Sequence, residues 1–546
     1  MSTTPTTLAA IACLALPAAA YQAVSAPCPD EVAELVRRGR ELIAADKADE
    51  AFPILERALA KDGGRARTRV WLIRCDIGRG RLNDALDATD ELAAGGEQGP
   101  ALDYLHGLAL CARAQEYIAQ GVAGQMIEMN FRDAFAFLRA ATEAEPETFA
   151  DAFLPLAQAG WYAQELPVAR AAAEKAVALR PRGVDEPYTL GRVALSQFVV
   201  ANADEVRRAE ADLHWSAAEA AFQAAVRNAG RPTEPAARTR LARAHLQIAH
   251  ALQWKQRREQ TLRSYADALA WDPGVVDFGA LWQIAPPAEF EQCVAGGLRA
   301  WRQHNPGQTH GTMVWWLGYA RFVLRRYEQA EQDFLAALEL LPDYLATHWY
   351  IGLSRYHQQD FQGAIDSLAL LFSEDPETAL AMAGADRALN LSILGYLVGQ
   401  CEQAGRKADA ARLCEIHVGV DPEDALWWSY VGLFWRDAGD LLRSSTEAAD
   451  VEARERHWER AWEGYSRALS IEPDNPAYLN DGAVVLHYNL RRELDRARAM
   501  YVRAHERALE ELARDDLSDD LRRLYETAKR DSADNLRRLD AGDSGR

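Results

Sequence analysis

The chain has 546 residues, with 81 Asp and Glu against 61 Lys and Arg, for a formal net charge of −20 at pH 7. Apolar residues make up 49% of it, which describes a chain that folds rather than one that stays disordered. The acidic excess argues against a protein built to grip nucleic acid or an anionic membrane, since both need clustered Lys and Arg. The length implies several domains or one repeat array. Tryptophan is abundant, with 15 residues against 6 methionines.

Leu8 to Ala20 form an apolar run of thirteen, too short to span a bilayer but suited to the core of a signal peptide. Small residues follow at Ala18–Ala20 and at Val24–Ala26, so residues 1–26 are expected to be a signal peptide that exports the chain to a periplasm or the exterior. Met1 to Thr7 carry no Lys or Arg, which keeps a cytoplasmic location as the alternative. No other run reaches 18 apolar residues, so the mature chain is expected to have no transmembrane span. The seven cysteines form no CxxC and no Cys/His cluster, so no metal and no cofactor is expected. They read as small buried hydrophobes. Cys401 and Cys414, on two helices of one expected hairpin, are the pair worth testing as a disulfide.

The strongest signal is internal repetition. Gly318, Ala330, Phe334, Ala337 and Pro342 recur as Gly352, Ala364, Leu368, Leu371 and Pro376, with the Gly, Ala and Pro each displaced by 34 residues. Ala157, Ala169, Ala173, Ala176 and Pro181 fit the same frame. Incomplete copies end at Pro146, Gly230 and Pro473. Offsets of +4 and +7 lie on one helical face, and a proline ends the second helix. The expected packing sets the small residue of the first helix against the Ala that opens the second. The Phe, Leu or Tyr four residues on then fills the gap to the next hairpin.

This pattern resembles the tetratricopeptide repeat, a 34-residue helix–turn–helix unit. The resemblance covers residues 31–510 and implies an all-α, right-handed α-solenoid of about twelve hairpins. In chain order they are expected at 31–63, 66–95, 101–146, 149–181, 187–230, 236–273, 276–306, 312–342, 346–376, 386–422, 426–473 and 476–510. Three depart from the family's length, with inserts between Ala112 and Asn130, between Phe198 and His214, and between Asp440 and Arg456. These read as lengthened helices, and such inserts project from one face. Residues 511–540 read as a polar capping helix and 541–546 as a loose tail.

Catalytic signatures are mostly missing. Gly78-Arg79-Gly80 starts a dinucleotide-binding pattern that Asn83 breaks, His245 and His250 lack an HExxH, and the Asn390-Leu391-Ser392 sequon falls in an expected helix. The expected function is therefore that of a non-catalytic scaffold binding a protein or peptide partner. The alternative is an exported envelope assembly factor or a carrier of lipid or polymer. In the family, first helices line the concave face. Carried onto this sequence, that implies Trp315, Tyr319 and Phe322 from one repeat and Trp349, Tyr356 and His357 from the next, with Arg321, Arg325 and Arg355 near enough to hold a carboxylate. The Lys and Asn by which chaperone-binding members grip a C-terminal carboxylate are replaced here by Trp315 and Tyr319, or by Trp349 and Leu353. The net charge points to a partner that is neutral or basic. Removing Trp315 and Tyr319 together is expected to weaken partner capture without unfolding the array.

Overall fold

The computed structural model describes residues 29–542, apart from 46, 64, 121 and 123. The expected signal peptide, Cys13, Cys28 and residues 543–546 lie outside the described residues. Among the described residues the chain forms 26 α-helices and no strand. None of these helices is long and apolar enough to cross a membrane.

Two compact units divide at Gln256 and Arg257. In the first, α1 (Pro29–Ala44) pairs with α2 (Ala48–Lys61), α3 (Ala66–Gly78) with α4 (Leu82–Ala94), and α5 (Pro100–Gln120) with α6 (Gly124–Ala144). Then α7 (Phe153–Tyr162) pairs with α8 (Leu166–Leu179) and α9 (Asp185–Ala203) with α10 (Arg208–Ala229), on which α11 (Pro235–Trp254) packs. In the second unit, α12 (Arg258–Trp271) and the short α13 (Phe278–Ile284) lie against α14 (Pro287–His304). Next, α15 (Gly311–Val323) pairs with α16 (Tyr327–Leu340) and α17 (Thr347–His357) with α18 (Phe361–Glu374). An extra helix, α19 (Pro376–Ala385), precedes the pair α20 (Arg387–Gln403) and α21 (Lys407–Val420). After it come α22 (Ala425–Leu441) with α23 (Ala448–Ile471), then α24 (Pro476–Val484), which runs into a π-helical turn at Val485–Leu490, with α25 (Leu494–Leu512). The last helix, α26 (Asp519–Asp540), covers α24 and α25 as the cap.

The hairpins begin and end for different reasons. Five first helices close on a left-handed residue: Gly80, Gln164, Arg325, Gln359 and Gly405 all have positive φ. The residue after each donates its N–H to a carbonyl five positions back, as in Arg326 to Arg321 and Asp360 to Arg355, both at 2.9 Å. That is the Schellman closure, which satisfies carbonyls the helix end would leave open. Six helices that close a repeat end instead on a residue held out of the helical region by the proline that follows. Arg180, Asn305, Leu341, Asp375, Asp421 and Glu472 have φ between −122° and −144°. At Asp375 the same proline opens α19, because Asp375 caps it by accepting from the Thr378 N–H at 3.0 Å.

In several hairpins the helices meet at a glycine. A Cβ on Gly107, Gly191, Gly318, Gly352 or Gly432 would stand 2.5–2.9 Å from the side chain of Leu138, Phe222, Phe334, Leu368 or Tyr465. The large residue therefore lies on the glycine of its own hairpin. It also reaches the next hairpin as expected, since Phe334 stacks on Tyr350 of α17 with centroids 5.4 Å apart. The small-on-small pairing with the opening alanine is seen at Gly160, whose Cβ would lie 3.0 Å from that of Ala169. In α22 and α23 the approach is closest, since a Cβ on Gly464 would stand 2.5 Å from the Gly432 backbone nitrogen.

The five described cysteines are buried free thiols, Cys401 and Cys414 among them. Burial pushes the Cys401 thiol up to about 12, so it packs as a small hydrophobe. The Asn390 sequon is closed off, because its buried amide donates to the carbonyls of Met382 and Ala383 and ties α20 to α19.

Backbone contact cannot relax as a side chain can. Gly464→Ala should therefore cost about 1–3 kcal/mol. Gly399→Ala, with nothing within 4 Å of the new methyl, should gain up to about 1 kcal/mol from helix propensity. Urea denaturation followed by circular dichroism distinguishes them, and equal effects would refute this packing.

Candidate binding surfaces

In the second unit the rings of α15 and its neighbours form one continuous chain. Trp315 stacks on Tyr319 with centroids 5.6 Å apart, and its edge meets Tyr344 and Tyr350 at 5.5 and 5.6 Å. Tyr319 also meets Trp282 at 5.0 Å. Tyr350 joins Phe322 at 5.8 Å, and His357 lies flat on Tyr327 at 4.3 Å. Tyr356 continues the chain to Phe361 and Tyr396 at 5.9 Å.

The structure thus brings together Trp315, Tyr319, Phe322, Tyr356 and His357, but not as an open strip. Trp315 is only 8% exposed and Trp349 only 2%. Trp349 faces the interior with Leu353, Ala364 and Leu368. A residue's place on its own helix does not say how closely the next hairpin covers it, and here the neighbouring rings cover Trp315. The arginines are mostly committed. Arg355 donates to Glu331 at 2.7 Å, to the Gly363 carbonyl and to Ser367, while Arg321 is held by Glu291 and Asp333. Arg325 is exposed at the left-handed turn, and burial, helped by the Arg325 charge, holds the His357 imidazole below its ordinary pKa. Exposed rings on this face are Tyr344 and Tyr396.

A second surface, in the first unit, was not legible as a motif. It arises from unequal helix lengths. In α7 the chain stops five residues after Ala157, whereas α9 runs twelve residues past its counterpart Gly191, and α11 is as long as α9. The extra turns of α9 and α11 leave an open cleft of about 780 Å³ beside the end of α7. At its base the Trp161 indole N–H donates to Ser196 Oγ at 2.8 Å, and the Arg192 guanidinium lies 3.8 Å from the Trp161 ring centre. Leu195, Val199 and Val200 form an apolar wall, with Trp254 at the rim, 54% exposed and edge-on to Phe198. Gln164, Gln247, Gln253 and Gln256 supply amides, and His250, whose pKa burial lowers, completes the lining. No Asp or Glu is among the described residues that line the cleft. Beyond it, the lengthened hairpins carry apolar side chains into solvent: Val206 is 90% exposed and Leu213 73%, and Met126 and Met129 lie on α6.

Residues 42–108 match the sequence model of the tetratricopeptide repeat. No curated protein matches the chain. Among solved structures it is similar to a thermophilic TPR protein of Thermus thermophilus, at 22% identity over 39% of this chain and 98% of that one, with a TM-score of 0.28. It is also similar to the C-terminal part of a TPR repeat-containing protein from Cytophaga hutchinsonii (14% identity, 59% and 99% covered, TM-score 0.32). A third likeness is to yeast Tom70 (12% identity, 93% and 97% covered, TM-score 0.22). The all-helical hairpin architecture is the one the sequence repeat implies.

Burial now reverses one expectation. Trp315→Ala should cost about 3–5 kcal/mol, since a buried ring leaves a cavity. Trp254→Ala should stay within about 1 kcal/mol of the parent, as a surface substitution does. Chemical denaturation of both variants checks this, and a Trp315→Ala chain as stable as the parent would return that ring to the surface.

Proposed function

We propose that the protein is a non-catalytic scaffold that binds polypeptide partners on the first-helix faces of its hairpins. The observation that supports this most is the cleft beside α7. It is open, it pairs an aromatic rim and apolar wall with amides able to bond a peptide backbone, and it lies among first helices. The half-buried rings from Tyr319 to Tyr396 offer a second face. The likeness of residues 42–108 to the tetratricopeptide repeat supports a protein-interaction role in general. The net charge of −20 supports neutral or basic segments over most of the surface.

A second reading, an exported carrier of lipid or polymer, is favoured by Val206 and Leu213 near the tip of the α9/α10 hairpin. Export itself rests on residues 1–26.

Site-specific photo-crosslinking tests the first reading. A benzoylphenylalanine at Gln253 or Tyr396 should label a defined polypeptide in cells, and one at the outer residue Glu143 should not. Identical labelling from all three sites, or none, would overturn it. Lipid extracted from the purified chain in place of a crosslinked polypeptide would support the second reading. N-terminal sequencing of the mature protein reads out export: a start at Tyr21 or Pro27 is expected, and a start at Met1 or Ser2 refutes it.

A further inference from the structure

The charge of the cleft is the reverse of the charge of the chain. The protein carries 20 more acids than bases, yet the twelve described residues lining the cleft include one arginine and no carboxylate. Many other half-buried arginines are neutralised by a neighbour: Arg74 by Asp151, Arg79 by Asp49 and Asp76, Arg321 by Glu291 and Asp333, Arg406 by Asp366 and Asp409. Arg192 has no such partner among the described residues. Its contacts are rings: Trp161 at 3.8 Å, with Tyr162 and Tyr188 each at 6.0 Å.

A stacked guanidinium keeps its donors at the edge of its plane, available to an acceptor that lies in that plane. The ring also fixes its orientation, so little conformational freedom is lost when the acceptor arrives. The neighbouring residues state what else the acceptor brings with it. Leu195, Val199, Val200 and Trp254 would cover an apolar side chain. Gln247 and Gln253 are spaced along α11, where their amides can donate to and accept from a backbone that runs along the cleft.

We propose that this cleft binds an internal peptide segment of a partner protein in which an Asp or Glu stands beside a large apolar residue, the carboxylate seated on Arg192 and the apolar side chain against Trp254. This rests on the peptide-binding reading above and adds the chemistry of what is bound. The surrounding negative field repels an acidic segment elsewhere on the surface, so the cleft both admits and registers it.

The test selects ligands without presuming them. Random dodecapeptides displayed without a free C-terminus are panned against the full chain. Those recovered are resynthesised as fluorescein-labelled C-terminal amides for anisotropy titration. Recovered peptides should be enriched in Asp or Glu next to Leu, Phe or Trp. Changing that acid to its amide should weaken binding about tenfold to a hundredfold, the scale of one charged hydrogen bond. Arg192→Gln should weaken the acidic peptide by the same factor and make the protein indifferent to the acid-to-amide change. Gln253→Glu alters an exposed residue and leaves the Trp161 packing untouched. It should abolish binding of the acidic peptide by repulsion, which keeps the test decisive if Arg192→Gln fails to fold. Peptides that bind the cleft without an acidic preference, or whose acid matters equally in native and Arg192→Gln chains, overturn this proposal and leave peptide binding standing. Binding that requires a free C-terminal carboxylate overturns it in favour of end recognition. If no peptide is recovered, or none responds to Gln253→Glu and Trp254→Ala, the peptide-binding reading of this surface falls as well.

Discussion

The repeating hairpins depend on two helical backbones coming close, in five of them close enough for one large side chain to lie across a glycine of the other helix. Gly318 under Phe334 and Gly352 under Leu368 show the arrangement: where any other residue would place a Cβ, the partner's carbons already stand at 2.9 Å. That contact fixes the register of the two helices, because sliding one past the other would bring a full side chain under the ring. With the register fixed, the faces available for stacking follow, and apolar residues from α15, α17 and α20 reach the same neighbours. Stability in such an array is a sum of local pairings, so the two compact units need no single large core.

The same logic separates the two surfaces. On α15 the hairpins are of similar length, so rings from adjacent repeats meet and close over one another, and aromatic abundance becomes cohesion. At α7 a short hairpin stands beside a long one, and the unequal ends leave a space that no side chain of the stack fills. Aromatic content alone therefore does not mark a binding face. A mismatch in length between neighbours is the more informative feature, and its lining then says what it selects.

Much of the fold was legible because it is written locally. Prolines at 181, 306, 342, 376, 422 and 473 act on the residue just before them, and the glycine period records the close approach of helices within one hairpin. What was not legible depends on neighbours distant in the sequence. The burial of Trp315 is decided by Tyr344 and Tyr350, and the engagement of Arg355 by Glu331. The insert around Phe198 to His214 was visible as extra length, but its consequence depended on α7 being short and α11 long. The helix α19 did carry a local signal that the repeat frame masked: Asp375 before Pro376 is a helix start as well as a helix stop.

The two kinds of helix ending have one more consequence. The glycine and its large partner lie 16 residues apart in the hairpins of Gly318 and Gly352, but 31 apart for Gly107 with Leu138 and for Gly191 with Phe222. The added residues all fall on the turn side, shared between both helices as roughly two turns each, which lengthens the hairpin by about 11 Å. The glycine contact is not disturbed. The turn end of a hairpin is thus a place where this architecture can acquire new surface by duplication or grafting, one arm at a time, while the stack beneath it keeps its original geometry.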